Sequence, residues 1–261
     1  MSTLLVVGGG LFGSLAAAYA RSKGVEAVVF DPGLSGAASP ASLGLFKEEW
    51  AGKKLREHYR HALPLLDQLY GVRHITLKRD DGGREALWFV PPAVILEPAP
   101  VRERVTAVGD GWLEAGGRRY EGWVYVAAGV WCEQFFPGLG VYGKAGSSFS
   151  FAGEREGRIR MLAPGRQAIA FVRDPGATHF SDGTAEREYT ADHDRRTLER
   201  AAAMGLMGPA RRFWGRRPYA PGGLLFRRMG NRTWIATGGR KMGTILGAFC
   251  ARRLVEEELR L

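Results

Sequence analysis

The N-terminal stretch that ends at Asp31 constrains the fold of this chain more than any other. An apolar run from Leu4 to Val7 predicts a short buried strand, and Ser14 to Arg21 predicts a helix. Between them lies Gly8-x-Gly10-x-x-Gly13, and a second apolar run, Ala27 to Phe30, leads directly into the acid. The order strand, glycines, helix, strand and acid predicts a dinucleotide-binding βαβ unit.

Each glycine of this motif has its own mechanical role. Gly8 allows the tight turn from strand to helix, Gly10 leaves no side chain between backbone and pyrophosphate, and Gly13 lets the helix pack closely on the strand. The helix N-terminus offers free N–H groups and a positive dipole end to phosphates. The Asp31 carboxylate is placed to accept hydrogen bonds from ribose hydroxyls. Because the chain has 37 glycines, the prediction rests on the register of all the parts.

The composition is that of a soluble globular protein, with 261 residues of which 45% are hydrophobic and 25% charged. No apolar stretch approaches the roughly 20 residues that span a bilayer, and no basic region precedes the first strand as in a signal peptide. Two cysteines, Cys132 and Cys250, are too few for a disulfide framework. We therefore expect a cytoplasmic protein.

The formal net charge of +10 is compatible with anionic partners such as nucleic acid or an acidic substrate. Most basic residues, however, occur as arginine pairs scattered along the chain, a pattern more typical of a solvated surface than of a binding stripe.

The segment after Asp31 combines a loop of small residues, a predicted helix, a hairpin and a proline-rich stretch. Pro32 to Gly44 is a loop of small residues with no room for a helix of its own, and such a loop lets backbone approach a ligand closely. Lys47 to Tyr70 predicts a helix that Pro64 kinks or divides. A hairpin follows, and four prolines between Pro91 and Pro100 leave no space for a crossover helix.

The rest of the chain alternates short apolar runs with turn residues, including a turn at Pro164-Gly165, and this pattern predicts mostly antiparallel strands. A brief helical turn opens at Trp131, and Asp192 to Met204 predicts an amphipathic helix with an acidic N-cap. Finally a glycine-rich turn, 238–243, opens a long helix from Thr244 to Leu259. A nucleotide domain built from both chain ends, with an antiparallel sheet inserted, is therefore expected.

Four blocks in this order resemble the D-amino-acid oxidase (DAO) superfamily of FAD-dependent oxidoreductases, which includes glycine oxidase and sarcosine oxidase. They are Gly8-x-Gly10-x-x-Gly13 with Asp31, the small-residue loop 36–44, the strand and turn Val124-Tyr-Val-Ala-Ala-Gly129-Val-Trp131, and Gly215-Arg-Arg217-Pro218 followed by Gly238-Gly239-Arg-Lys241-Met-Gly243. The blocks span nearly the whole chain. The chain looks like a shortened member, because relatives usually have a longer substrate region.

The resemblance implies an α/β fold with an FAD-binding Rossmann-like domain of the glutathione-reductase type and a reduced antiparallel β-sheet substrate domain. The FAD-binding domain is expected from residues 1–80, 101–140 and 230–261, and the substrate or cap domain from 81–100 and 141–229. It implies FAD rather than NAD, since the closing glycine turn falls near the flavin ring. The closing block has no cysteine, so FAD is expected to bind non-covalently.

The resemblance also assigns site residues. Arg217 is expected to bind a substrate carboxylate, with Lys241 as a second cation and Tyr219 in the substrate wall, while Arg216 is equally well placed by spacing. The cofactor-binding residues expected are Gly8, Gly10, Leu11, Phe12, Gly13, Asp31, Pro32, Ala38, Ser39, Ser42, Leu43, Gly44, Val105, Ala128, Gly129, Trp131, Gly215, Gly239, Arg240, Lys241, Met242, Gly243 and Thr244. No metal site is expected from the histidine spacing.

The activity implied is oxidation of the C–N bond of an amino acid or secondary amine by hydride transfer to flavin N5. The shortened substrate region leaves open an FAD-binding subunit of a hetero-oligomeric dehydrogenase, whose partner completes the site, or a homo-oligomer. The basic charge leaves open a tRNA-directed enzyme, although nucleic acid is the less favoured partner. An NAD(P)-dependent dehydrogenase is a further alternative, which the closing glycine turn argues against.

Overall fold

The structure is a computed structural model that describes residues 3–163 and 167–259. Its helices are α1 (Leu11–Ser22), α2 (Lys53–Tyr70), α3 (Pro92–Ile95), α4 (Cys132–Phe135), α5 (Ala191–Ala203) and α6 (Gly243–Arg253). Its strands are β1 (Leu4–Val7), β2 (Ala27–Phe30), β3 (Leu45–Phe46), β4 (Arg73–Arg79), β5 (Arg84–Phe89), β6 (Val105–Gly109), β7 (Trp112–Ala115), β8 (Arg118–Glu121), β9 (Trp123–Val126), β10 (Tyr142–Ala152), β11 (Arg158–Ala163), β12 (Gln167–Asp174), β13 (Ala177–Ser181), β14 (Ala210–Tyr219), β15 (Leu225–Arg228) and β16 (Thr233–Thr237).

A five-stranded sheet carries the predicted βαβ unit. Its order is β15-β16-β9-β1-β2, and all neighbours are parallel except β15, which is antiparallel to β16. One face packs on α1, α2 and α6, and the other on the three-stranded sheet β6-β7-β8. Because both faces are covered, β1 is a continuous apolar run with every residue buried.

A larger sheet of eight strands contains the middle of the chain, in the order β14-β10-β13-β12-β11-β4-β5-β3. Neighbouring strands are antiparallel apart from the pair β11 and β4. Strand β10 pairs with β14 from Tyr142 opposite Tyr219 to Phe151 opposite Ala210. Helix α5 packs on this sheet through Ala201.

The division into an FAD-binding and a substrate domain stays a prediction. The strand order places β4 in the eight-stranded sheet and β15 in the five-stranded sheet, so both lie across the boundaries expected at residues 80 and 230. The turn expected at Pro164-Gly165 lies outside the described residues.

Two proline-containing segments differ in detail from what the sequence predicts. Helix α2 begins at Lys53 rather than Lys47 and continues through Pro64 undivided. Its buried face, which includes Tyr59, Ala62 and Leu66, packs into the core, and this packing outweighs one lost helical hydrogen bond. The stretch from Pro91 to Pro100 contains the single helical turn α3, since Pro92 stands at the first helical position, where no N–H is needed.

Other helix ends also differ from expectation. The loop after Asp31 includes a short 3-10 helix, Ser39–Ala41. The N-cap of α5 is Thr190, whose hydroxyl accepts from the amide of His193, whereas Asp192 lies inside the first turn. Helix α6 ends at Arg253 and is followed by a π-helical turn, Leu254–Glu258. None of the helices in the described part of the chain is long and apolar enough to cross a membrane.

Candidate active site

A cavity of about 360 Å³ lies where the carboxyl ends of β1, β2, β9 and β16 meet β14 and the segment after β13. This volume is within the range of small-molecule sites, roughly 300–1,000 Å³. Ligands of open parallel sheets bind at the carboxyl ends of the strands, so the cavity lies where the fold favours a ligand.

The glycine turn forms one end of the cavity, and two of its glycines are required by the packing. Gly8 has a φ of 101°, and a Cβ there would lie 2.7 Å from the carbonyl oxygen of Ala127. A Cβ on Gly13 would lie 1.9 Å from the carbonyl oxygen of Gly8, so α1 approaches β1 as closely as glycine permits. Gly10 is different, because its Cβ would meet only the side chain of Ser39, at 2.9 Å.

Asp31 holds the glycine turn and the following loop together. Its Oδ2 accepts from the amide of Gly9 at 2.7 Å, and its Oδ1 accepts from the amide of Gly33 at 2.7 Å. A carboxylate has about four lone-pair sites, so two of them remain for ligand hydroxyls. The side chain is thus fixed in the cavity wall before any ligand binds.

The small-residue loop is held against the turn and against β14. The amide of Leu11 donates to the Ser39 hydroxyl at 2.9 Å. A Cβ on Gly215 would lie 2.4 Å from the Cα of Ala38, so this glycine lets the loop pack on the strand. Gly215 itself does not line the cavity, whereas Ala38 and Ser39 do.

The closing glycine turn supplies the opposite wall. Gly238 has a φ of 83°, and a Cβ there would lie 2.2 Å from the carbonyl oxygen of Gly223. Arg240 has a φ of 49° and is the one non-glycine residue with positive φ in the described ranges. The residues that open α6, including Gly243 and Thr244, line the cavity. The N-termini of α1 and α6 therefore reach the same space with their positive dipole ends.

Arg217 projects from β14 into the wall and is half-buried. Its Nη1 donates to the carbonyl oxygens of Gly183 at 3.2 Å and Thr184 at 3.0 Å. A Cβ on Gly146, in the neighbouring strand, would lie 3.3 Å from Nη2, so that glycine leaves room for the guanidinium. Desolvation lowers the pKa of Arg217, but an arginine stays charged at any physiological pH.

The two carbonyl groups that hold Arg217 belong to a turn fixed by a buried acid. Asp182 is fully buried and accepts from the Thr184 amide at 2.9 Å, the Thr197 hydroxyl at 3.1 Å and the Arg200 guanidinium at 2.5 Å. Burial raises the pKa of the Asp182 carboxyl, but the hydrogen bonds from Thr184 and Arg200 outweigh it and hold the pKa below its ordinary value. Helix α5 thus positions Arg217 through Asp182.

Lys241 and Tyr219 complete the group expected to act on substrate. Lys241 is exposed in the cavity wall, where partial desolvation and the charge of Arg217 lower its pKa. Tyr219 does not line the cavity. Its ring stacks on Tyr142 with centroids 5.4 Å apart, and the Arg240 guanidinium lies 5.3 Å from its centroid. Tyr219 therefore positions Arg240 at the cavity edge.

The structure brings together most of the residues that the sequence assigned to the site. Gly13, Gly215 and Tyr219 support the wall without lining it, and all the others line it. Their roles stay predictions. Several other lining residues were not assigned from the sequence, and most of them come from segments outside the four blocks. These are Leu34, Phe46, Trp50, Tyr59, Arg104, Gln134, Ala170, Ser181, Gly183 and Thr237.

Comparisons with known proteins concern the fold. A family model described as an NAD(P)-binding Rossmann-like domain matches residues 6–69. A search of curated proteins found no match. The solved structure of iminodiacetate oxidase from Chelativorans sp. BNC1 is similar with a TM-score of 0.71 at 16% identity, covering 98% of this chain and 95% of that chain.

Two further structures extend this similarity. Glycine oxidase from Bacillus cereus ATCC 14579 has a TM-score of 0.70 at 14% identity, covering 99% of this chain and 98% of that chain. An FAD-dependent oxidoreductase from Pseudomonas aeruginosa has a TM-score of 0.67 at 17% identity, covering 98% of this chain and 91% of that chain. The predicted architecture is therefore confirmed: a Rossmann-like α/β domain joined to a mostly antiparallel sheet, the fold that these solved structures share with this chain.

Proposed function

We propose that this chain is an enzyme that binds FAD non-covalently and oxidises the C–N bond of a carboxylated amino acid or secondary amine. One observation carries the proposal: the glycine turn, the N-terminus of α6 and the Arg217 guanidinium line one continuous cavity. The similar structures, an iminodiacetate oxidase, a glycine oxidase and an FAD-dependent oxidoreductase, support it by fold.

The residues present fit FAD. Gly10, which lines the cavity, and the N-terminus of α1 suit a pyrophosphate, and Asp31 suits a ribose. The N-terminus of α6 would favour negative charge on a flavin ring, and this second helix end favours FAD over NAD(P). Both cysteines are buried outside the cavity wall, and burial raises the pKa of the Cys132 thiol to about 12, which supports non-covalent binding.

The chain's own residues would then orient the substrate. When bound, FAD supplies the acceptor for the hydride that leaves the substrate carbon next to nitrogen, so that the amine becomes an imine that water hydrolyses. Arg217 would bind the substrate carboxylate with the donors that its two carbonyl contacts leave over. Its fixed position would direct one C–H bond toward the cofactor, which is the main catalytic contribution expected of the protein.

Arg217→Ala is expected to raise KM for a carboxylated amine about 30-fold while the protein keeps its flavin. Loss of a charge-assisted hydrogen bond costs about 2 kcal/mol, and the hydrogen bonds of Arg217 go to Gly183 and Thr184 rather than to the glycine turn. Steady-state kinetics beside an absorption spectrum would measure both effects. Arg118→Ala, an exposed arginine of β8 outside the cavity wall, is the matched control. Unchanged KM in Arg217→Ala would move the carboxylate contact to another residue.

The visible spectrum of the purified protein tests the proposal as a whole. We expect flavin bands at about one flavin per chain, bleached by anaerobic addition of one member of a panel of amino acids and N-methyl amino acids. Flavin bands that no amine bleaches would instead favour an FAD-binding subunit that needs a partner. A colourless protein that cannot be reconstituted with FAD would contradict the proposed function.

A further inference from the structure

The cavity wall has a strong charge imbalance. Among its described lining residues, Asp31 is the single carboxylate, whereas five side chains are cationic. Asp31 lies at the glycine turn, where two backbone amides already bind it. Four of the cations, Arg216, Arg217, Arg240 and Lys241, come from β14 and the closing turn.

These two cationic segments are in direct contact. The amide of Arg240 donates to the carbonyl oxygen of Pro218 at 3.2 Å, which joins the closing turn to the end of β14. Lys241 follows Arg240 in the closing turn and lines the same cavity as Arg217, and desolvation together with the charge of Arg217 lowers the pKa of Lys241. Arg216 and Arg217 are consecutive in a strand, so their side chains leave opposite faces of the sheet. The contact therefore groups Arg217, Arg240 and Lys241.

No carboxylate in the described ranges forms an ion pair with any of these three cations. Asp182 is the acid whose negative charge acts on both Arg217 and Lys241. Its carboxylate already accepts hydrogen bonds from Arg200, Thr184 and Thr197. Two adjacent positive charges in a partly desolvated wall are unfavourable unless an anion joins them. At this wall, opposite the glycine turn proposed for the pyrophosphate, the three cations carry more positive charge than one substrate carboxylate would balance.

The backbone of Arg240 gives independent support. A φ of 49° at a non-glycine residue stores of order 1 kcal/mol of strain, and such strain concentrates at ligand-binding positions. Its guanidinium lies over the Tyr219 ring, an arrangement that leaves the N–H edge free to donate. The side chain is therefore held ready at the cavity edge.

We propose that the substrate carries two carboxylates, one bound by Arg217 and the second by Lys241 and Arg240. This inference deepens the proposed function and rests on it for the position of the reacting amine. The substrate class is an amino acid or secondary amine with a second acidic group a few bonds from the first.

Binding of a non-oxidisable pair of ligands tests the inference without reference to turnover. Glutarate and pentanoate have the same number of carbons and differ in one carboxylate. Isothermal titration of the purified holoprotein at fixed ionic strength is expected to show glutarate binding at least tenfold more tightly. Equal affinities would overturn the proposal.

Variants separate the two carboxylate contacts. Lys241→Met and Arg240→Asn are expected to weaken glutarate binding about tenfold each and to leave pentanoate binding unchanged. Asparagine tolerates the left-handed conformation, so Arg240→Asn removes the charge without adding strain. Arg217→Gln should weaken the binding of both glutarate and pentanoate. Lys78→Met and Arg118→Asn, at exposed positions outside the wall, are the matched controls and should change neither affinity.

The possible outcomes distinguish a failure of this inference from a failure of the proposed function. If Lys241→Met and Arg240→Asn lose flavin while the affinity for glutarate is retained, the cations bind the cofactor and the inference is wrong. If the holoprotein is bleached by monocarboxylate amines as readily as by dicarboxylate ones, the inference fails while the proposed function stands. Preferential binding of glutarate by a protein that cannot bind FAD would support the anion site and contradict the oxidase.

Discussion

Gly10→Val is expected to give a folded protein that purifies without flavin. A Cβ at this position meets only the Ser39 side chain, at 2.9 Å, so the fold can accommodate it if that hydroxyl turns away and gives up its hydrogen bond from the Leu11 amide. The added methyl groups, however, would occupy the space that the glycine turn leaves for a pyrophosphate at the start of α1. The ratio of flavin to protein absorbance, with a thermal melt followed by circular dichroism, measures both properties.

Two other glycines make the test specific. Gly52→Val adds the same side chain at a position where a Cβ has no neighbouring heavy atom within 4 Å. This variant should therefore keep its flavin. Gly13→Val should fail to fold, because the added Cβ would lie 1.9 Å from the backbone carbonyl oxygen of Gly8. A Gly10→Val protein that retains a full complement of flavin would show that the pyrophosphate does not lie at this turn.

Asp182→Ala is expected to destabilise the protein by about 3 kcal/mol, since it leaves the Arg200 contact and two threonine donors without their buried acceptor. The turn at Gly183 and Thr184 should loosen as well, and with it the position of Arg217. Denaturant unfolding measures the first effect, and KM for the substrate measures the second. Asp192→Ala, an exposed aspartate paired with arginines on α5, should cost less than about 1 kcal/mol.

The same acid predicts how stability depends on pH. The pKa of Asp182 is lower in the folded protein than its ordinary unfolded value of about 4, so the folded state favours the charged form. Its contribution to stability is therefore fully present above pH about 4 and is lost as pH falls through the folded pKa. Unfolding free energies of wild type and Asp182→Asn should converge as the pH is lowered. Curves that stay parallel down to acid pH would contradict this role.

The predictions from sequence succeeded where structure depends on neighbouring residues. The βαβ unit follows from local apolar runs, turn glycines and one acid, and the structure forms it in the expected register. The antiparallel strands follow from turn residues between apolar runs. Sequence reasoning did not find the start of α2, its undivided course through Pro64 or the N-cap of α5, because packing of a whole helix face and the conformation of Thr190 are not visible in a local pattern.

By itself, the sequence determined the βαβ unit with its glycine turn, since every required residue from Gly8 to Asp31 lies within one short segment. The arrangement of residues at the opposite wall of the cavity is visible only in the tertiary structure. It joined the closing turn that carries Arg240 and Lys241 to β14 at Pro218, the residue after Arg217, and it showed that Asp182 holds the turn whose carbonyl groups bind Arg217. These contacts join residues far apart in the chain, and their geometry depends on how two sheets and α5 pack. No spacing in the sequence encodes such packing.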